Sequence, residues 1–322
     1  MNKSAGEISV RDFRKSDLED VSELGRLCFA REFELKGLDV EHLTEKVEQL
    51  FGFTGRFLLF LLQVFGRRPF RFFVAEAYGK VVGTTMVSRQ VNVGYISWVM
   101  VHQDYRGRGI AKRLLEKTVE YARKSGMEKV ALHVDSTNDQ AKNLYIKMGF
   151  KKFEKLAHLV GDVTTISFTP ELVGEICIRN FQEKDIDSVY ELVKLSEDSE
   201  HLRVFSLRKE SLKGSLLARF FKLFNESKIV ATHKDSVVGY VAVVYTTAKE
   251  AGRISNIYVH PKMRSMGIEE LLIFSALNEA KRVGLKNVLT TVSLRRPELI
   301  SVIKHCGFEE KFEVSGMVLD LA

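Results

Sequence analysis

The stretch VHQDYRGRGIAKRLL, Val101 to Leu115, joins the end of an apolar β-rich run to a turn made of glycine and arginine. From Gly109 onward Ile110, Ala111, Leu114, Leu115, Val119 and Ala122 recur at helical spacing, so the turn opens an amphipathic helix. A strand, a glycine turn and a helix N-terminus in this order present free backbone N–H groups at the positive end of a helix dipole, which is an anion site. Gly107 and Gly109 let an anion approach the main chain, and Arg106 and Arg108 add charge. The plainer alternative is that a short Gly-x-Gly turn only lets a helix pack tightly on a strand. Two nucleotide motifs are excluded: G-x-x-x-x-G-K-[ST] is missing, and G-x-G-x-x-G fails because Lys112 stands at the third glycine position.

A worn echo of the stretch, VHPKMRSMGIEELL, runs from Val259 to Leu272. It belongs to a repeat of the whole chain. ISVRDFRKSDLEDVSEL (Ile8 to Leu24) answers ICIRNFQEKDIDSVYEL (Ile176 to Leu192), FVAEAYGKVVG (Phe73 to Gly83) answers IVATHKDSVVG (Ile229 to Gly239), and Gly149-Phe150 answers Gly307-Phe308. A unit of this length is a complete domain and not a solenoid turn. The expected domains are 1–168 and 171–322, with the break near Thr169-Pro170.

Each copy mixes the two periodicities. ISVRDF reads as a strand, and Ser16 to Glu19 as a capping box opening a helix whose Leu18, Val21 and Leu24 share a face. A second helix is expected over most of Val40 to Phe65. Phe70 to Val101 reads as an antiparallel meander broken at Tyr78-Gly79-Lys80 and Gly94. The helix after the glycine turn should end at Gly126. A strand (KVALHV), a helix (Asn138 to Met148) and a last strand (FKKFEKLAHLV) follow. This order implies an α+β fold with a mixed, mostly antiparallel central sheet flanked by helices in each of two tandem domains.

Composition bounds the partners. Hydrophobic residues at 45%, charged residues at 28% and four prolines describe an ordinary folded chain. Cys28, Cys177 and Cys306 offer neither a disulfide framework nor metal-ligand spacing, so no metal is expected and a reducing cytoplasmic setting fits. MNKSAGEISV has no apolar core of a secretory signal. FLLFLLQVF (Phe57 to Phe65) falls short of the roughly 20 residues of a membrane span. A net charge of +7 suits an anionic partner, but no basic block or aromatic-basic motif marks a nucleic-acid surface.

At this point the residues resemble a known family. Arg106-Gly-Arg-Gly109-Ile-Ala111 is similar to the Q/R-x-x-G-x-G/A signature of the GNAT superfamily of N-acyltransferases, and Asn138-DQAKNLYIKM-Gly149-Phe150 resembles its second motif. The resemblance implies that N–H groups of the Arg106, Gly107, Arg108, Gly109, Ile110 and Ala111 segment hold the diphosphate of acetyl-CoA or another acyl-CoA. It implies further that Val99, Met100 and Val101 pair with the pantetheine arm and polarise the thioester carbonyl, as in an oxyanion hole. Asn138 would contact the cofactor, with a plain helix N-cap as the other reading. Tyr145 would protonate the departing thiolate, although a tyrosine inside a helix is more often core. The base that deprotonates the amine stays open among Glu76, Asp135, Glu32 and Glu34, with His102 and His133 as structural as they are catalytic. Residues 31–65 would wall the acceptor site.

The second copy departs at the positions that carry chemistry. Gly107 becomes Ser265, Arg108 becomes Met266, Ala111 becomes Glu269, Asn138 becomes Arg296 and Tyr145 becomes Ile303. A carboxylate about 4 Å from a phosphate charge adds repulsion of about 1 kcal/mol in water and about 4 at an effective dielectric of 20. The expectation is an acetyl-CoA-dependent N-acyltransferase in the first copy, acting by direct attack of an amine, beside a second copy that kept the architecture and lost the chemistry. The acceptor would be a small molecule or a protein amine, with no nucleic acid and no membrane span; a homodimer is compatible. A non-catalytic acyl-CoA sensor is the alternative.

Overall fold

The computed structural model describes residues 8–36, 70–90, 92–166, 168, 170, 175–205, 209–212, 225–245, 251–264 and 266–321. Residues 40–65, expected to be largely helical, lie outside them. The first part of the chain forms strand β1 (Ser9–Asp12), helix α1 (Leu18–Lys36), β2 (Phe70–Ala77), β3 (Lys80–Gln90), β4 (Val93–Val101), α2 (Ile110–Lys124), β5 (Lys129–Asp135), α3 (Asp139–Lys147) and β6 (Lys151–Asp162). The second part forms β7 (Ile176–Asn180), α4 (Ile186–Ser196), α5 (Ser199–Val204), α6 (Lys209–Leu212), β8 (Asn225–His233), β9 (Ser236–Tyr245), β10 (Ala251–Val259), α7 (Ile268–Val283), β11 (Asn287–Ser293), α8 (Pro297–His305) and β12 (Glu309–Asp320). The element order agrees with the sequence reading of an α+β fold on mixed, mostly antiparallel strands flanked by helices, though the strands form one 12-stranded sheet and not a separate sheet for each copy.

Two compact units result: Met1–Glu34, Asp39–Lys152 and Gly316–Ala322 make one, Leu35–Leu38 and Phe153–Ser315 the other. The division differs from the expected break at 168–171. The repeat reveals which segments are homologous, but strand partners are chosen by burial and register, which the repeat does not encode. In the structure β6 pairs antiparallel with β11, from Leu156↔Ser293 to Asp162↔Asn287, and its Ala157 and Leu159 enter the second unit's core. Conversely, Met317 and Leu321 of the last stretch are buried in a core of the first unit.

Within the first unit the strand order is β1-β2-β3-β4-β5, with the end of β12 beside β5. Strands β1 to β4 pair antiparallel in succession, and β4 pairs parallel with β5. Helix α2 lays Ile110, Leu114, Leu115 and Ala122 on the sheet, with Leu114 and Leu115 fully buried. Complete burial of one leucine contributes about 1.5–3 kcal/mol. A Cβ on Gly83 would stand 2.9 Å from the Met100 carbonyl and 3.2 Å from Ile110 and Leu114, so only glycine lets the helix approach. Gly239 of the second unit is hemmed in equally by Leu272 and Ile268, which explains why the VVG triplet occurs twice.

A buried ion pair marks the start of both copies. Asp17 accepts from Arg11 at 2.7 Å and Asp185 from Arg179 at 2.7 Å. Each carboxylate also accepts a backbone N–H three residues back, Arg14 and Gln182, and so closes a 3₁₀ turn ahead of the helix. The expected box around Ser16 therefore takes another form, because Asp17 reaches back to Arg14. Burial works to raise the Asp17 pKa, and the hydrogen bonds from Arg11 and Arg14 outweigh it, leaving the group below its ordinary value.

Candidate active site

The site is built on a bulge. Along β3 and β4 the register runs to Met86↔Ser97 and resumes at Thr84↔Met100, which leaves one extra residue on β4. Trp98 adopts φ 56° there, a left-handed conformation rare for a bulky side chain. Its ring packs over Gly25 and edge-on to Phe72. Pairing of β4 with β5 stops at Tyr95↔Ala131, before the bulge, so the two parallel strands part around residues 97–101. Backbone groups on the far half of β4 are thereby left facing a gap, and an extended ligand can pair with them as a strand would.

The glycine turn stands at the end of that strand. Gly107 and Gly109 have φ 77° and 74°, and a Cβ on either would meet nothing within 4 Å. The glycines therefore serve the backbone conformation and open approach, not tight packing of a helix on a strand. Gly109 is the N-cap of the 15-residue α2 and supplies no side-chain cap, so the first N–H groups of the helix point outward for a ligand. Arg106 donates through Nε to the Val101 carbonyl at 3.1 Å, and Arg108 to the Asp104 carbonyl at 3.1 Å while lying over the Tyr105 ring. Both guanidinium groups are exposed and tethered to the turn. Cys28 of α1 bridges toward the same strand end, its thiol 3.8 Å from the Val101 carbonyl.

Of the other expected site residues, Val99 and Val101 are half-buried and Met100 is buried; Ile110 is buried and Ala111 half-buried. Asn138 is the N-cap of α3, its Oδ1 accepting from Ala141 N–H at 3.0 Å, so the capping reading is realised while the side chain remains exposed. Tyr145 is only 5% exposed and packs against Phe150 at 5.8 Å. Burial pushes its phenol up to about 12.

The candidate bases are dispersed. Glu76 accepts from Arg11 at 2.6 Å, and Asp135 accepts from the Thr137 N–H at 2.7 Å and its hydroxyl at 2.5 Å. His133 Nδ1 lies 3.1 Å from the Tyr95 hydroxyl, on the two strands that part. His102 Nδ1 accepts from Asp104 N–H at 3.3 Å. Glu32 and Glu34 lie on α1 (Leu18–Lys36), and residues 37–65 of the expected acceptor wall lie outside the described residues. Among the described residues no group of His, Cys, Asp and Glu could hold a metal, and no helix is long and apolar enough to cross a membrane.

The second unit keeps the scaffold and fills it differently. Asn256 takes φ 60° at a bulge between Ser255 and Tyr258, and β10 pairs with β11 only as far as Arg253↔Leu289. Gly267 caps α7 at φ 73°. Into this gap Arg296 donates through Nη1 to the Ile257 carbonyl at 3.2 Å, while Tyr258, in a core with Val189, Leu192 and Val193 of α4, donates to Glu197 at 2.5 Å. Arg264 donates to the Ser196 carbonyl at 3.4 Å. Met266 packs on the core, Ile303 is fully buried, and Glu269 is buried, with desolvation raising its pKa. Ser265 lies outside the described residues. A cavity of about 110 Å³ remains, lined by Arg264, Gly267, Glu269, Glu270, Glu298, Leu299 and Val302.

Two features were missed in the sequence. Nothing local to Trp98 signals a left-handed residue; its counterpart Asn256, a residue type that tolerates this conformation, carried the one available hint. The loss of Asn138 in the second copy was visible, but not that Arg296 would reach across to a backbone carbonyl.

The geometry joins a bulged strand, parted from its parallel neighbour, to an open glycine turn and helix, and comparison with known proteins assigns the class. The chain belongs to the acetyltransferase (GNAT) family, whose profile matches residues 19–150 and again 186–308. It is 36% identical over 110 residues to the N-alpha-acetyltransferase MAK3 of Arabidopsis thaliana; the match spans 33% of this chain and 55% of that relative. Among solved structures, a tandem GNAT protein from the clavulanic acid biosynthesis pathway superposes with a TM-score of 0.70 at 17% identity, over 98% of this chain and 99% of that one. A GCN5-related N-acetyltransferase from Sphaerobacter thermophilus gives 0.70 at 17% identity, over 98% and 96%. These structures share the tandem fold.

Proposed function

We propose that the first unit is the catalytic one, a CoA-dependent N-acyltransferase that uses acetyl-CoA and a primary amine in a ternary complex. The observation that carries this reading is the open turn at Gly107 and Gly109, at the head of α2 and beside the parted strands β4 and β5. In it, the N–H groups of residues 106–111 grip the diphosphate, and the far half of β4, Val99 to Val101, pairs with the pantetheine arm. Asn138 adds a contact from the start of α3.

The thioester supplies an activated acyl carbon when bound. A main-chain N–H of β4 stabilises the charge that develops on the carbonyl oxygen. The amine nitrogen bonds to that carbon as the carbon–sulfur bond breaks, and its proton leaves to a base or a water chain. Tyr145, kept neutral by its buried setting, gives its proton to the departing sulfur and recovers it from solvent. Such an acid contributes on the order of 10²–10⁴ in rate. The relative named for N-alpha-acetylation supports a peptide N-terminal amine as the first acceptor to try, beside small-molecule amines.

A second reading, an acyl-CoA sensor without transfer, draws on the burial of Tyr145 and on the engagement of Glu76 and Asp135 in other hydrogen bonds. A thiol-release assay with acetyl-CoA against peptide and small-molecule amines separates the two. Release that depends on the amine supports the enzyme. Binding of acetyl-CoA with no release on any amine supports the sensor.

A further inference from the structure

Tyr145 is held by residues from the far end of the sequence. Its helix α3 stops at Lys147, Gly149 turns the chain at φ 92°, and the Phe150 N–H returns to the Tyr145 carbonyl at 3.0 Å. The ring and Phe150 sit in one core with Leu115, Val119 and Ala122 of α2, with Val130, Leu132 and Val134 of β5, and with Met317, Leu319 and Leu321. Met317 is fully buried. Leu319 Cδ1 lies 3.4 Å from where a Cβ on Gly149 would stand, so it rests directly on the turn that follows Tyr145. Two hydrogen bonds fix this stretch in place: Leu321 N–H donates to the Glu128 carbonyl at 2.8 Å, and Arg123 donates through Nε to the Leu321 carbonyl at 3.3 Å.

We infer that Met317 and Leu319 are positioning residues for Tyr145, so that the last strand of the second sequence copy completes the catalytic centre of the first unit. The inference rests on the proposed role of Tyr145. The second unit shows the same device with the partners reversed: Ile303, at the tyrosine's position, shares a core with Ala157 and Leu159 of β6. An aromatic ring this closely packed keeps its hydroxyl in one place only while its neighbours fill their volume. Removing the Met317 side chain leaves a cavity in the core that holds the ring, into which the ring and the Gly149 turn relax. A displacement of about 1 Å at a reacting group lowers rate on the order of 100-fold.

The test uses the full chain with Met317→Ala, Leu319→Ala and the nearly volume-conserving Met317→Leu. Steady-state kinetics with acetyl-CoA and an accepted amine give kcat and KM. Emission of Trp98, the single tryptophan and a first-unit residue, follows urea unfolding of that unit without reference to activity. The expected result for Met317→Ala is a kcat lowered about 10- to 100-fold, with KM for acetyl-CoA within about twofold and a lower Trp98 midpoint. Leu319→Ala should move the same quantities less, and Met317→Leu should restore both. A wild-type kcat in Met317→Ala overturns the inference, whether or not the midpoint falls. So does a kcat loss matched by a rise in KM, or one that Met317→Leu fails to rescue. A wild-type chain that releases no thiol with any amine refutes the enzyme reading instead, and Trp98 unfolding then reports separately whether Met317 belongs to the first unit's core.

Discussion

The two units answer the same structural problem with different contents. Each has a left-handed residue at a bulge, Trp98 or Asn256, and each parts its two parallel strands after three paired residues. Each caps its main helix with a left-handed glycine, Gly109 or Gly267, and ties its first helix to the bulged strand's last carbonyl, through the Cys28 thiol in one and the Ser196 hydroxyl at 3.0 Å in the other. In the first unit the glycine turn is open and its arginines are exposed. In the second, Arg296 bonds the Ile257 carbonyl in the gap, the turn's second arginine has become a core methionine, and a glutamate is buried in the first turn of α7. The bulge and the splay thus belong to the fold, while the open glycine turn with its exposed arginines distinguishes one copy.

The largest effect that could break this contrast is on turnover. Tyr145→Phe should lower kcat on the order of 10²–10⁴-fold with acetyl-CoA binding unchanged, while Arg296→Ala in the second unit should leave kcat unaltered. Comparable losses from both, read in the same thiol-release assay, would make the second unit a participant in the chemistry. The pH profile sharpens the point. With its phenol near 12, Tyr145 stays protonated throughout the working range, so it should produce no alkaline fall in kcat at neutral or mildly basic pH. An alkaline limb abolished by Tyr145→Phe would contradict that setting.

A smaller effect separates the units by stability. Asp17 and Asp185 both have lowered folded pKa values, so their ion pairs stabilise above the unfolded value of about 3.9 and are lost as pH falls through the lowered folded value. Asp17→Asn should destabilise the first unit by about 2 kcal/mol at neutral pH and weaken the acid dependence of the Trp98 signal. Asp185→Asn should leave that signal as it is. The smallest effect belongs to the second unit alone. His201 pairs with the buried Glu154 at 3.0 Å. Burial opposes its protonation, but the hydrogen bond His201 donates to Glu154 and the nearby charges of Glu154, Glu197 and Asp198 prevail and raise its pKa. The stabilisation is complete below about 6.5 and lost as pH rises through the raised folded value. Amide exchange in Ser199–Val204 should therefore quicken across that interval, and His201→Gln should remove the dependence.

Much of this was legible in the sequence because it is local or periodic. The helix after Gly109, the meander before it and the duplicated VVG and Gly-Phe pairs follow from spacing and from glycines that nothing else can replace. The glycine turn was legible for the same reason: Gly107 and Gly109 are required by their positive φ, which side-chain-bearing residues resist. What escaped was non-local. That β6 joins β11, and that Met317 and Leu321 bury themselves near Tyr145, depends on pairing between distant segments, for which a tandem repeat offers two equivalent solutions. Trp98 escaped because its conformation is imposed by the strands around it, against its own preference.

The central claim is that one of two equivalent-looking turns holds an acyl-CoA diphosphate. Calorimetric titration of the full chain with acetyl-CoA measures it most directly, with a bulky substitution placed in turn at each glycine, Gly109→Phe and Gly267→Phe. One site per chain, lost on Gly109→Phe and retained on Gly267→Phe, is the result predicted. Two sites, or a single site lost only on Gly267→Phe, would contradict it.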